Sequence, residues 1–426
     1  MGAVLAGLIL AVTLVLVLVR PKDVGEAWWA ALGGGAVLVL GLVSLKQAGG
    51  VLLETWDALV LLVGMMALSA VAERAGFFDW AASVTARAGG GRVFTLYGFV
   101  FLVGTLVTAT LSLDATAIVL TPIVYGMAVR LRLDPLPFMF ACVYTANTAS
   151  LFLPVSNLTG LLAYGAFDLG FARFALVMFL PAVLAVATNF LIFAWIFRKD
   201  LAGDYETKLP PFVPENGSFF RLAAGAVAGV LVAFFLAPVL GVPIGLVALA
   251  AGTLVTGAAR LAGWVSLREV ARSVSWGVIV LVVGLFLVVQ GVENAGLAAL
   301  AERAFAADAP GDGLARILGV TVGTALGSNV INNVPMTVLA LGAIDPLVAE
   351  GTLGIATVYA VVVGTSIGPN LTTVGSLATL IWLGIARGKG VEITAKDYLK
   401  IGVLATPPIL LAASVGLWVS LKLFGG

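Results

Sequence analysis

Runs of Leu, Val, Ala, Ile and Phe recur from one end of the chain to the other, parted by short polar stretches. Each run extends for about 17–20 residues, the length a helix needs to cross a bilayer. Backbone groups in lipid must be satisfied internally, so only helices or a closed barrel can span. The runs lack the period-two alternation of barrel strands, and the pattern predicts helices. Candidate spans are 3–19, 27–44, 57–73, 94–130, 137–165, 174–197, 219–237, 242–260, 274–293, 315–345, 354–385 and 401–424.

Four of these are not simple crossings. The segments 94–130 and 315–345 are too long for one passage and carry polar residues midway, as re-entrant hairpins would. The segment 137–165 is interrupted by Asn147, Pro154, Ser156 and Asn157, and 354–385 is interrupted in the same way. The longest polar stretch, 198–218, places a cytoplasmic linker over 201–216, between halves at 1–200 and 217–426.

The halves align. Gly64 and Glu73-Arg74-Ala75-Gly76 match Gly284 and Glu293-Asn294-Ala295-Gly296 at an offset of 220. Asp114 matches Asn333, and Val155-Ser156-Asn157-Leu158 matches Val374-Gly375-Ser376-Leu377, both at 219. A near-constant offset over several elements is the mark of an internal repeat.

Charge then sets direction. With the N-terminus outside and the two hairpins entering and leaving on one face, all but Lys46, Arg173, Arg303, Arg316 and Lys422 of the 23 basic residues fall on the cytoplasmic side. Arg20, Lys22 and Lys208 are counted there. The excess of cytoplasmic Lys and Arg favours this orientation, with both termini outside. Each half has five crossings, one of them broken, and one hairpin. An odd number of crossings inverts the second half relative to the first, the plan of many secondary transporters. The expected fold is an all-α polytopic membrane protein with two inverted-topology repeats.

Composition narrows the chemistry. Of the residues, 61% are hydrophobic and 11% charged, with a net charge of +1, which offers nothing to nucleic acid. There is no histidine and one cysteine, Cys142, so multi-cysteine metal sites and histidine proton shuttles are excluded. The run Gly89-Gly90-Gly91-Arg92 lacks the Lys-Ser/Thr ending of a phosphate loop. No nucleophile–base pair suggests an enzyme, and no cofactor is expected. Trp28, Trp29, Trp264 and Trp276 read as interfacial anchors. The 3–19 run has neither a basic start nor a cleavage site and reads as a retained span.

The polar residues inside the apolar runs gather at two places in each half. The hairpin turns hold Ser112, Asp114 and Thr116, and Ser328, Asn329, Asn332 and Asn333. The broken spans hold Asn147, Thr148, Ser150, Ser156, Asn157 and Thr159, and Ser366, Asn370, Thr372, Thr373 and Ser376. Prolines and glycines beside them free the backbone. Unwound backbone within a membrane occurs only where it is buried in protein or lines a wet cavity. Singly, such hydroxyls also serve helix–helix contacts; together, at matching positions, they outline a substrate site. Asp114 is an ionisable group at mid-span with no opposite charge nearby in sequence. That is costly and marks a functional candidate, here for proton coupling; the alternative is an aspartate capping the hairpin turn. Glu73 and Glu293, at span ends, read as solvated or paired, and Cys142 as packing.

AGFFDWAA (75–82), LTPIV (120–124), NTASLFLPVSNLTG (147–160), SNVINNVP (328–335) and GPNLTTVGSLATLIW (368–382) together resemble the arsenite efflux pump family, the membrane subunit of bacterial arsenical resistance within the ion transporter superfamily. The resemblance implies inner-membrane export of arsenite and antimonite in exchange for protons, sometimes with a soluble ATPase on the cytoplasmic face. It implies a scaffold part and a mobile transport part. It also implies that the hairpin tips around Asp114 and Asn329, Asn332 and Asn333, with the breaks around Asn157 and Ser376, form the site. Relatives are expected to carry Asn just before the hairpin aspartate; Leu113 stands there, so the first hairpin offers no amide at that point.

Near neutral pH arsenite is a small neutral trihydroxide, which Asn, Ser and Thr can both donate to and accept from. Two other readings stay open on the residues alone. One is a sodium/proton antiporter, or an anion or silicic acid transporter, of the same superfamily. The other is a passive channel subunit energised by a separate ATPase.

Overall fold

The computed structural model describes residues 2–19, 25–206, 213–296 and 313–424. Arg20, Lys22, Lys208 and Arg303 of the charge count, and 207–212 of the expected linker, lie outside the described residues. The fold is helical, and the one β pairing among the described residues is an isolated bridge between Arg92 and Asp204.

The first half runs α1 (Gly2–Val19), α2 (Glu26–Val39), α3 (Leu45–Arg74), α4 (Phe77–Ala88) and α5 (Val93–Thr110). A π-helical stretch, Ala115–Leu120, leads into α6 (Thr121–Arg130), followed by α7 (Leu136–Ala149), α8 (Leu158–Ala166) and α9 (Phe171–Ile196). The second half runs α10 (Gly217–Leu236), α11 (Ile244–Leu261), α12 (Leu267–Ser273) and α13 (Trp276–Asn294). It continues with α14 (Leu314–Ile331), α15 (Asn333–Ala349), α16 (Ile355–Ile367), α17 (Leu377–Gly388) and α18 (Ala395–Phe424). Eight helices among the described residues are long and apolar enough to cross a membrane.

Three helical stretches fall outside the expected spans, each because polar residues dilute the apolar run. Helix α3 begins at Leu45 rather than 57. Ser44 and Gln47 form a capping box there, with Gln47 N–H donating to Ser44 Oγ at 3.2 Å and Ser44 N–H to Gln47 Oε1 at 2.9 Å. Helix α12 starts on a second such box, Ser266 with Glu269. The Ser266 amide and hydroxyl, with Arg74 in an ion pair at 2.5 Å, hold the Glu269 carboxyl below its ordinary range. Helix α4 is amphipathic, burying Phe78, Ala81, Ala82, Thr85 and Ala86.

Packing is reciprocal between the halves. Helix α3 lies along α11, and α2 along α13. A Cβ on Gly64 would stand 2.3 Å from the Ala248 carbonyl carbon, and one on Gly252 2.5 Å from Gly64 O. In the matching contact, a Cβ on Gly284 would stand 2.5 Å from the Ala30 carbonyl carbon, and one on Gly34 3.1 Å from Gly284 Cα. Lipid gives apolar helices no hydrophobic drive to associate, so backbone approach through small residues supplies the contact. These four helices form one part of the molecule.

The other part is built from the hairpins and broken segments. Helix α5 packs on α7, α14 on α16, and α9 runs beside α18. The pieces after each break cross over: α8 packs on α15, and α17 on the π-helical stretch. An aromatic nest of Phe140, Tyr144, Phe193, Trp382 and Tyr398 locks the halves together, with Tyr144 and Phe193 centroids 4.5 Å apart. The Trp382 indole N–H donates to Met139 O at 3.1 Å.

Candidate functional site

Four chain breaks meet in the middle of the molecule, each ending in a helix start. Ser112 opens the helix that carries Asp114, accepting from Ala115 N–H at 3.1 Å. Asn157 opens α8, accepting from Thr159 N–H at 3.3 Å. Asn332 opens α15, accepting from Val334 N–H at 3.4 Å, and Ser376 opens α17, accepting from Thr379 N–H at 3.1 Å. Ser, Asn and Asp fit this role because a short side-chain oxygen reaches the orphan amides of a first turn.

All four capping residues line one cavity of about 110 Å³. That volume holds several waters or one small solute. Asp114, Ser156 and Asn333 complete its polar wall, and Val17, Leu62, Met66, Val278 and Leu281 close it from α1, α3 and α13. Among the described residues, no Lys or Arg lines it.

Asp114 and Asn333 differ from the other polar wall residues. Among the described residues, neither the Asp114 carboxyl nor the Asn333 side-chain amide has a hydrogen-bond or ion-pair partner, while both face the cavity. Their backbones are held: Asn333 N–H donates to Gly375 O at 2.9 Å. Asn332 takes a left-handed backbone angle, φ 74°, and its side-chain amide donates to Val374 O at 3.3 Å. With ψ at 157° this backbone lies outside the left-handed helical well that asparagine tolerates, in a region residues other than glycine rarely adopt, so the second hairpin tip is strained.

Electrostatics follow from the four helix starts. Each N-terminus carries partial positive charge, on the order of half an elementary unit at its end. Among the described residues, Asp114 is the one ionisable side chain on the wall. Such a site receives oxygen atoms, either from a ligand or from the carboxylate itself.

The other expected site residues stand behind this wall. Thr116 pairs with Thr108 inside the first hairpin, oxygens 2.8 Å apart. Asn147 Nδ2 donates to Asn370 Oδ1 at 2.8 Å, tying the two breaks together, while Asn147 Oδ1 and Asn370 Nδ2 are buried without partners among the described residues. Thr148 donates to Tyr144 O and accepts from Asn189 Nδ2 at 3.1 Å. Ser150 and Ser366 each accept from Asn157 Nδ2 at 3.3 Å, and Thr159 Oγ1 lies 2.9 Å from Ser366 Oγ. Asn329 donates to Ala325 O and Gly368 O and accepts from Thr372 at 2.7 Å. Thr373 is buried in the second break, away from the cavity wall. Ser156 faces the cavity and donates to Ala109 O at 2.9 Å, bracing the first hairpin.

Sequence reasoning passed over Asn189, a lone amide in the apolar run of α9. Its isolation among Ala, Val, Leu and Phe was a usable signal. It also passed over the apolar wall from α1, α3 and α13, for which no sequence signal exists.

Residues 5–421 match the model of the family described as arsenical pump membrane protein. The chain is 33% identical to the arsenical pump membrane protein of Escherichia coli strain K12 over 412 residues, covering 95% of this chain and 96% of the relative. That of Yersinia enterocolitica is also 33% identical, with the same coverage. The fold is similar to the Alcanivorax borkumensis YdaH transporter, with TM-score 0.62, 18% identity, and 89% of this chain and 88% of that one covered. It is also similar to Neisseria gonorrhoeae MtrF, with TM-score 0.55, 14% identity, and 84% and 80% covered. These two likenesses are of fold alone.

Proposed function

The chain belongs to the arsenical pump membrane protein family, whose members are membrane transporters, and we propose that it exports neutral arsenite and antimonite in exchange for protons at the Asp114–Asn333 cavity. The observation that carries this reading is the pair of polar groups free of partners, Asp114 and Asn333, on a wall with no Lys or Arg among the described residues. Arsenite trihydroxide offers donors and acceptors in a compact shape, and one amide plus one carboxyl can satisfy both kinds.

The four helix starts weigh between the alternatives. Their partial positive charge opposes a bare sodium ion held by Asp114 alone. A neutral polyol, through its oxygens, meets the same helix ends favourably. A dicarboxylate would need a Lys or Arg, and none lines this wall among the described residues.

On this reading the two halves are inverted repeats. The reciprocal glycine contacts Gly64–Ala248 and Gly284–Ala30 support that, as do the crossed-over α8 and α17. The four-helix part is the scaffold, and the hairpins with the broken segments move against it. The scaffold residues at the cavity are Leu62 and Met66 of α3 and Val278 and Leu281 at the start of α13, with Val17 from the end of α1 beside them, toward the end that carries the Arg74–Glu269 ion pair. The charge pattern makes that end cytoplasmic and both termini external, in an inner membrane. The cavity then lies toward the cytoplasm, where an exporter loads. After the transport part moves, a proton taken up by Asp114 from outside releases the substrate and returns the empty carrier.

The test is arsenite uptake into inverted vesicles that hold only this purified chain, with and without an inside-acid gradient. The expected result is accumulation that follows the gradient, without a separate ATPase. Uptake indifferent to the gradient would overturn the coupling, and uptake that requires added sodium would favour the sodium branch.

A further inference from the structure

Away from the transport cavity, a trough of about 730 Å³ runs down the outer face of α10 and α11. We propose that this trough holds one acyl chain of an anionic glycerophospholipid with its phosphate at Arg221. The trough starts beside Arg221 and Ala258 and ends beside Ala233 and Val247. Its depth comes from missing side chains: a Cβ added to Gly225 or Gly229 would meet nothing within 4 Å. Packing within the chain therefore does not require either glycine.

Length separates a lipid from a partner helix. From Arg221 to Ala233 an α-helix rises about 18 Å. One leaflet of a bilayer has about 15 Å of hydrocarbon. The trough is thus as long as one acyl chain is deep, whereas a partner helix would seek contact over the full crossing.

The mouth carries the charge an anionic headgroup needs. Arg221 is exposed and donates only a long contact, 3.4 Å, to Ser218 Oγ, with no carboxylate partner among the described residues. A guanidinium forks onto phosphate oxygens with two parallel hydrogen bonds. Beside it, the Phe220 ring lies 5.6 Å from Trp80 and 6.5 Å from Phe77. Of these rings, Trp80 is the type that sits at headgroup level, which places Arg221, next to Phe220 in sequence, near the depth of a phosphate. Anionic lipids concentrate in the cytoplasmic leaflet; that this end is cytoplasmic rests on the orientation proposed above.

The experiment is native mass spectrometry of the purified full-length chain in detergent, titrated with dioleoyl phosphatidylglycerol or dioleoyl phosphatidylcholine. The expected result is one retained phosphatidylglycerol, preferred over phosphatidylcholine. Arg221→Ala should weaken that retention about fivefold, the effect of one interfacial arginine. Gly229→Leu should fill the trough and lose the lipid while eluting as a folded protein. Equal retention of both lipids by wild type and both variants would overturn the proposal. So would a Gly229→Leu variant that splits an oligomer into single chains, since a second copy would then be the occupant. The readout uses neither arsenite nor a gradient, so failure of the transport reading leaves it intact.

Discussion

Replacing Gly375 with alanine tests how the second break holds the site. The added Cβ would stand 2.6 Å from Pro369 Cα and 2.9 Å from Asn329 Oδ1. Carbon atoms prefer about 3.5–4.0 Å, so the backbone must yield by about 1 Å. Overpacking of that kind costs roughly 1–3 kcal/mol. The displaced segment is the one that fixes the second hairpin tip, through Gly375 O to Asn333 N–H at 2.9 Å and Val374 O to the Asn332 amide. Loss of the first of these bonds adds about 1 kcal/mol. If the shift reaches Asn333, arsenite binding should weaken about tenfold, equivalent to about 1.4 kcal/mol. Gly384 is the control, because a Cβ there meets nothing within 4 Å. Thermal unfolding in detergent and the KM for arsenite in vesicles are the two assays. A Gly375→Ala protein with wild-type KM, while Gly384→Ala is equally normal, would refute the claim that this break positions the site.

Three further outcomes follow from the same geometry. Asn147→Ala removes the donor to Asn370 Oδ1 in a fully buried setting and should cost about 1–3 kcal/mol; adding Asn370→Ala should cost less than a second such loss, as a double-mutant cycle of unfolding would show. Gly64→Val drives a side chain into the Ala248 carbonyl, and Gly284→Val does the same at Ala30; both should fail to elute as folded protein in fluorescence-detected size exclusion, while Gly257→Val, facing open space, should elute normally. Asn333→Leu removes a free amide from the cavity wall and should raise the KM for arsenite, while uptake still follows the pH gradient.

The sequence made the frame legible because membranes restrict backbone so severely. Apolar runs with polar interruptions at Asp114, Asn157, Asn333 and Ser376 located the breaks, and a near-constant offset paired them. Which polar groups reach the cavity was not legible. Thr116, Asn147, Thr148 and Asn329 sit in the same short motifs as the wall residues, yet their partners are Thr108, Asn370, Asn189 and Thr372. Those partners are fixed by tertiary packing between elements far apart in sequence. Helices α4 and α12 were hidden for another reason. An amphipathic helix and a short capped turn of charged residues both fail a test based on unbroken hydrophobicity.

Proton movement itself offers the most direct test of the central claim. Proteoliposomes with the purified chain and an internal pH dye would receive an arsenite gradient in the absence of sodium. The account predicts opposing proton flux with the wild type. In Asp114→Asn, where the wall amide of Asn333 would face a second amide, it predicts arsenite equilibration without proton movement. Proton flux that persists in Asp114→Asn would contradict it.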